Sequence, residues 1–596
     1  MSDLTKALKQ IQANILICST TAGSGHPSSS LSAAHIMTAI FFTKMRFDLN
    51  NPKNINNDRL IFSKGHASPL YFSLYRACGT ISQDEMMKYR QFDSRLEGHP
   101  SIRFPFVEAL TGSLGQGLGI AVGEAIALKK RGSAGKIYCL VGDSELAEGS
   151  CYEAFNSAAY YNLDNLITVI DMNKLGQRGV TQLSHDTTIL KKRLESFGME
   201  VFVVENGNNM DDCLNIMHLV AYSTTKKPKV VIARTVKGYG VAKIAGKEGW
   251  HGKVLTKEDC ITAIKDLGDV DMKFTHPIMP VAKDTSEDIK ITPSLKVIPG
   301  LSPRKAYGEY LAASIEKNPQ LLILDAEVSN STFVDVVNKN YPNNFLEMFI
   351  AEQNMISVAT GLSKLGFVPF CSTFAAFVTR AFDQIRMAQY ADCTLNIAGS
   401  HCGVSIGADG PSQMALEDIA MMRAIHDSWV LYPCDSISTM RLSSLMLNRK
   451  KGINYLRLTR DFIEDVYDEK SDFYIGGSNL LTQWNEIAIL CNGITVFEAL
   501  SVNKIMPVTV IDMYSVKPID TKRLKEINSK CKLVIVIEDH RSEGGLYDAV
   551  CATQTLSIPI HSLSVNEIPR SGTREELLNY CKIDKDAILE LIANVY

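Results

Sequence analysis

The stretch KIYCLVGDSELAEGSCYEAFNSAAYYNLDNLITVIDMNK, residues 136–174, decides the fold class. KIYCLVGD (136–143) is a short apolar run that stops at a carboxylate, which reads as a buried strand. EGSCYEAFNSAAYYNL (148–163) has helical periodicity, and NLITVIDMNK (165–174) is a second apolar run. A strand, a helix and a strand of this size form a crossover unit, so both strands run parallel. Runs without alternation imply a sheet covered by helices on both faces. Asp143 and Asn173 then lie at the ends of their strands, on the edge where open α/β sheets bind ligands.

The pattern continues outward. ESFGMEVFVVENG and PKVVIARTVKG read as further strands of the same domain, residues 1–267. Residues 268–302 are proline-dotted and polar and read as a linker. QLLILDAEVS, VPFCSTF and TLNIAGSH begin a second α/β domain over 303–465. EIAILCNG, VTVIDMYSVKPID and CKLVIVIEDH give a third over 472–596. Three consecutive α/β domains with mostly parallel sheets suit the length of 596 residues.

Bulk composition narrows the function. A net charge of −3 with 21% charged residues argues against a nucleic-acid coat. No run of about 18 apolar residues indicates a membrane span, and the N-terminal stretch lacks the layout of a signal peptide. The 14 cysteines have no paired spacing, so free thiols in a reducing, cytoplasmic setting are expected.

Several small constellations carry chemistry. Asp143 and Asn173 are hard oxygen donors suited to Mg²⁺ or Ca²⁺. The amides of Ser144 and Glu145 suit an anion, and TGSLGQGLG (111–119) is a glycine-rich helix entry where backbone approaches phosphate. Five of the 12 histidines sit among small residues: His26, His66, His99, His251 and His401. Their spacing matches no zinc motif; imidazoles with room around them suit sugar hydroxyls and proton relay. Glu352 lies at a helix start, and Phe374 and Phe377, three apart, are expected on one helical face. Glu145 is expected to cap or face the helix entrance.

The Asp143–Asn173 spacing matches the thiamine-diphosphate motif, with Ser144 replacing its second glycine and Lys174 where many such enzymes have asparagine. SGHPSSSLSAAHIM, DRLIFSKGHASPLYFSLY, TGSLGQGLG, GDSELAEGS, KEGWHGK, SPRKAYGEY, AEQNM, STFAAFVTRAFDQIRM, GSHCGVSIGADGPSQMALED and IPRSGTREEL together closely resemble the transketolase family. Gln413 in GADGPSQ resembles the animal-type branch.

The resemblance implies a thiamine-diphosphate-binding fold, with a diphosphate domain (1–267), a pyrimidine domain (303–465) and a C-terminal domain (472–596). It implies thiamine diphosphate with Mg²⁺, for which Ca²⁺ or Mn²⁺ substitutes, on Asp143, Asn173 and the Leu175 carbonyl. It places Gly112, Ser113, Leu114, Gly142, Ser144, Lys237, Phe374, Phe377 and Gln413 around the cofactor. His66 and His251 join this group, and Glu352 holds a pyrimidine nitrogen as the activating acid. His26, Ser28, His99, His251, Arg304, Ser331, His401, Asp409 and Arg460 fall on the substrate side, the arginines gripping phosphate. His26, His66, His99, His251 and Glu352 are the implied catalytic residues.

The implied reaction is ketol transfer in the non-oxidative pentose phosphate pathway. Xylulose 5-phosphate or sedoheptulose 7-phosphate donates to ribose 5-phosphate, erythrose 4-phosphate or glyceraldehyde 3-phosphate. The implied assembly is a homodimer with active sites at the subunit interface and Glu148 near that boundary, with no nucleic-acid or membrane partner. A 1-deoxyxylulose-5-phosphate synthase-like enzyme and a catalytically silent relative remain the alternatives.

Overall fold

A computed structural model describes residues 2–284, 291–292 and 297–596. The chain divides into two compact units: Met1–Asp288 with Thr360–Leu365 and Tyr390–Asp392, and Ile289–Ala359 with Gly366–Gln389 and Cys393–Tyr596.

The first unit holds five strands, β1 (Arg59–Phe62), β2 (Ile137–Gly142), β3 (Leu166–Met172), β4 (Glu200–Val204) and β5 (Lys229–Arg234). Their order is β1-β2-β3-β5-β4, and every neighbouring pair is parallel. All seven residues of β3 are buried, as an apolar run between two helical layers must be. The intervening helix is Gly149–Tyr160. The helix Pro27–Thr43 is buried along nearly its whole length and packs without a polar face, as a core helix does. Small side chains such as Ser28, Ser32 and Ala33 allow that close packing.

The second unit carries two sheets. One contains β6 (Leu321–Asp325), β7 (Phe345–Glu347), β8 (Val368–Phe374), β9 (Thr394–Ser400), β10 (Trp429–Leu431) and β11 (Gly452–Arg457). The short strand Ser515–Lys517 joins it antiparallel beside β10, and the other pairs are parallel. The other sheet runs in the order Asn479–Leu480, Thr509–Asp512, Ile487–Cys491, Leu533–Ile537, Ile560–Leu563, antiparallel only at its first pair. Three α/β domains with mostly parallel sheets are therefore present.

Of the stretch read as a linker, residues 285–290 and 293–296 lie outside the described residues. Residues 271–282 are held to the first unit by hydrogen bonds: Gln10 donates to the carbonyls of Met272 and Phe274, and Asn54 to that of Ala282. All the cysteines are free thiols. Among the described residues no helix is long and apolar enough to cross a membrane.

Candidate active site

In the first unit, the register of β2 against β3 sets Gly142 beside Asp171, so Asp143 and Asn173 leave the sheet at one edge. The Asp143 carboxylate accepts from the amides of Ser144 (2.9 Å) and Lys174 (2.8 Å) and from the Thr181 hydroxyl (3.1 Å). Burial and the neighbouring Asp171 carboxylate push its acid up to about 6. Ser144 has a φ of −66°, which serine adopts without strain, whereas Lys174 takes a left-handed φ of 61°.

Beneath this edge lies a buried network absent from the sequence reading. Asp171 Oδ2 accepts from Lys64 Nζ (2.5 Å), Ser32 Oγ (2.5 Å) and Asn173 Nδ2 (2.9 Å), and Oδ1 accepts from Thr235 Oγ1 (2.5 Å). Burial alone would raise the Asp171 acid, but the Lys64 ammonium and these donors outweigh it and hold it below its usual range. The pair is inaccessible to water, and the ammonium also donates to the Ser29 carbonyl (3.1 Å), so both charges carry the additional hydrogen bonds a buried ion pair requires. Committing Asn173 Nδ2 to Asp171 fixes which face of the amide carries Oδ1. The signal was available: Asp171 precedes Asn173 by two residues, hence on one strand face.

Glu145 corrects an expectation. It does not face the helix entrance but lies buried, accepting from Ser63 Oγ (2.5 Å), Gly115 N (2.8 Å) and Gly142 N (3.0 Å). One carboxylate thus ties the ends of β1 and β2 to the glycine-rich loop. At Gly115 the φ of 84° excludes a side chain, and a Cβ would lie 2.6 Å from Glu148 Cβ and Ser150 Oγ. At Gly112 (φ 131°) a Cβ would meet His99 Cδ2 at 2.5 Å. Glycine lets this loop, with Ser113 and Leu114, pass flush against His99. Glu148 is solvent-exposed in the chain.

His26, His66 and His251 form a triangle with ring centroids 5.0, 5.0 and 5.2 Å apart. Burial, then His251 and Arg90, lowers His26 to about 3, and burial, then Lys237 and Lys64, lowers His251 to about 4. His66 lies well below its ordinary value, chiefly through burial and Lys64, and His99 is lowered by burial and Arg90. All four are neutral near pH 7 and able to donate and accept. Among the described residues His26 Nδ1 is buried without a hydrogen-bond partner. Ser28 is buried too and donates to the Trp250 carbonyl (2.9 Å), which anchors the segment bearing His251.

Lys237 Nζ donates to the carbonyls of Leu175 (2.7 Å) and Gly176 (3.0 Å) and lies 3.1 Å from His251 Nδ1. Burial and Lys64 lower it to about 8. The Leu175 carbonyl, expected as a metal ligand, therefore already attracts a cation. The Asp143 carboxylate and Asn173 Oδ1, which accepts from Leu175 N at 3.2 Å, are the other expected donors, all oxygens of the kind Mg²⁺ or Ca²⁺ takes. The flush glycine loop, this donor set and the partnerless His26 Nδ1 fit a diphosphate with a hard cation.

In the second unit, Phe374 ends β8 and Phe377 begins the following short turn, so they do not share a helix face as expected. They stack all the same, 5.2 Å apart at 8°, because the chain reverses between them. His401 stacks on Phe374 at 3.9 Å and 18°, and its left-handed φ of 56° follows directly from β9. Its Nδ1 lies 3.0 Å from Ser400 Oγ. Glu352 opens the helix Glu352–Lys364 and is buried.

Arg304, in the first turn of the helix Pro303–Ile315, donates to the carbonyls of Ser331 (2.5 Å) and Arg460 (2.6 and 3.0 Å) and approaches His401 Nε2 (3.4 Å). Ser331 therefore meets Arg304 through its main chain and not through its hydroxyl. Burial and Arg460 lower Arg304 to about 10; burial, Arg304 and Arg460 lower His401 to about 3. Phe333, missed in the sequence, lies 5.1 Å from the Arg304 guanidinium. Arg460 pairs with Asp409 at 3.1 Å, both partly exposed. Gln413 lies half-buried in the turn beyond Gly410. Arg304 is thus a guanidinium held by neutral acceptors beside a second one that Asp409 pairs, an arrangement whose charge suits an anion.

Comparison with known proteins matches three family models: the transketolase thiamine diphosphate binding domain over residues 5–291, the transketolase pyrimidine binding domain over 300–464 and the transketolase C-terminal domain over 476–588. The chain is 39% identical to a transketolase of Homo sapiens, spanning 99% of this chain and 97% of that protein. It is 38% identical, over the same shares, to transketolase-like protein 2 of Mus musculus. Among solved structures, a transketolase from Campylobacter jejuni superposes with a TM-score of 0.87 at 24% identity, each chain covered in full. One from Leishmania mexicana gives 0.86 at 21%, covering 99% of this chain and 97% of that one.

Proposed function

Because this chain belongs to the transketolase family, we propose that it transfers a two-carbon ketol unit from a ketose phosphate to an aldose phosphate. Xylulose 5-phosphate and sedoheptulose 7-phosphate are the donors in this reading. Ribose 5-phosphate, erythrose 4-phosphate and glyceraldehyde 3-phosphate are the acceptors. The observation that carries it is the Arg304–Arg460–His401 cluster, an anion grip whose imidazole stacks on the aromatic platform of Phe374. A ligand with a phosphate at one end and a flat cofactor at the other suits that arrangement.

Thiamine diphosphate, when bound, supplies the electron sink for breaking the bond beside the ketose carbonyl. Asp143, Asn173 and the Leu175 carbonyl would hold Mg²⁺, which neutralises diphosphate charge, with Ca²⁺ or Mn²⁺ as substitutes. Gly112, Ser113, Leu114, Gly142, Ser144 and Lys237 would line the diphosphate. Phe374 and Phe377 would shield the pyrimidine ring from water with Gln413 near it, and Glu352 would hold its ring nitrogen. The neutral imidazoles of His26, His66, His99 and His251 would bind sugar oxygens and move protons, His251 as a donor through Nε2 because its Nδ1 accepts from Lys237. Ser331 would join Arg304, His401 and Arg460 on the phosphate, and Ser28 and Asp409 would complete the sugar contacts. The reading includes a homodimer in the cytoplasm, each active site drawing on both subunits.

The test is reconstitution. Dialysis against a chelator should abolish ketol transfer, and thiamine diphosphate with Mg²⁺ should restore it without pyruvate or release of carbon dioxide. Failure to restore it would reject the reading in favour of a silent relative. Carbon dioxide released from pyruvate would favour the synthase instead. Sedimentation of an active monomer would reject the shared site.

A further inference from the structure

A cavity of about 570 Å³ opens at the edge of the first unit's sheet opposite Asp143. It lies where β2, β3 and β5 begin, lined by Lys136, Ile167 and Lys229. From Ile167 to Asn173 the strand spans roughly 20 Å at 3.3 Å per residue, so this cavity is separate from the candidate active site. Its size falls in the range of small-molecule sites.

Four lysines line it: Lys44, Lys136, Lys226 and Lys229. Two are already engaged. Lys229 donates to the carbonyls of Asp164, Thr225 and Lys227, and Lys226 lies 3.5 Å from Asp164. Asp164 also pairs with Lys129 at 2.7 Å. Among the described residues neither of the other two ammonium groups has a carboxylate within 4 Å, although Asp58, which accepts from the Lys136 amide at 2.7 Å and lies 3.8 Å from Arg46, acts on Lys136 from farther off. Lys44 Nζ lies 3.4 Å from His218 Nδ1, and Lys136 makes no side-chain hydrogen bond or ion pair among the described residues. Burial and then Lys136 lower the Lys44 ammonium, so the two lysines repel each other across partly desolvated space.

The helices Pro27–Thr43 and Met210–Tyr222 end here, each contributing about half a negative charge. With Asp164, Asp58 and Glu200 they amount to roughly four negative charges against the four lysines, Lys129 and Arg46, so the cavity keeps a positive excess. Ile167, Met217, Val220 and Met279 add apolar lining to the same cavity. A free inorganic anion would leave that lining unused.

We propose that this cavity binds a phosphorylated small molecule, its phosphoryl group between Lys44 and Lys136 and its organic body on the Ile167–Met217–Val220–Met279 lining. The phosphoryl group relieves the repulsion between the two ammonium groups and forms charge-assisted hydrogen bonds with both. The organic part buries apolar surface. This inference does not depend on the catalytic reading.

Acetylation of lysines by an N-hydroxysuccinimide ester, read residue by residue by mass spectrometry on the full chain, tests it locally. Inorganic phosphate, adenosine monophosphate and adenosine are the probes, with chloride matching ionic strength. Phosphate and the nucleotide should slow labelling of Lys44 and Lys136 at least fivefold, the nucleotide at lower concentration, while adenosine should not. Lys136→Gln should abolish protection of Lys44. Equal labelling in phosphate and chloride, or protection of Lys44 persisting in Lys136→Gln, would overturn the site. A nucleotide no more effective than phosphate would overturn the role of the apolar lining.

Discussion

The side-chain amide of Asn173 donates to Asp171 Oδ2 at 2.9 Å, and the same oxygen takes the ammonium of Lys64 at 2.5 Å. The orientation of a proposed metal donor is thus set by an ion pair wholly inside the protein.

Removing Lys64 should therefore damage both the fold and the site. Lys64→Met leaves the Asp171 carboxylate buried and unpaired, at a cost of about 3–5 kcal/mol. Urea denaturation should show it, and Lys64→Met/Asp171→Asn should recover part of the loss. Asp171→Asn alone, which still folds if its amide keeps the hydroxyl contacts, should weaken Mg²⁺-dependent cofactor binding about 10–100-fold. Unchanged Mg²⁺ affinity would refute the positioning role.

Glu352→Gln keeps the size and burial of the side chain but removes its acid. Turnover should fall nearly to background while circular dichroism and the unfolding midpoint stay close to those of the parent. Full activity in a folded variant would remove Glu352 from the mechanism.

Arg304→Leu should raise KM for phosphorylated ketoses about 10–150-fold, as expected for losing a charged hydrogen bond worth about 1.5–3 kcal/mol. An unphosphorylated ketose should be affected far less. Equal effects on both would mean that Arg304 maintains the local fold and does not grip phosphate.

The imidazole cluster makes a pH signature. His26 and His251 have folded values of about 3 and about 4, below the 6.5 of an unfolded chain. The unfolded state binds more protons through that window, so stability is complete above about pH 6.5 and is lost as pH falls toward 4. The urea midpoint should drop between pH 7 and pH 5, and less so in His26→Asn. NMR should show neither ring titrating above pH 5.5; a midpoint near 6.5 for either would contradict the burial argument.

The sequence by itself determined the parallel α/β class, since apolar runs such as LITVIDM have no polar face to expose and must lie between helices. It also carried the strand-end placement of Asp143 and Asn173 and the family motifs around Glu352 and the histidines. Local pattern was enough there because strand period and short motifs are properties of neighbouring residues. It misjudged Glu145, whose three partners come from Ser63, Gly115 and Gly142. It missed Lys64 and Thr235, which reach Asp171 from 107 and 64 residues away. It expected Phe374 and Phe377 on a helix, where the chain instead leaves a strand and turns. Only the tertiary structure decided these points, because a buried charge takes its meaning from whichever segments close around it, and no local period records which segments those are.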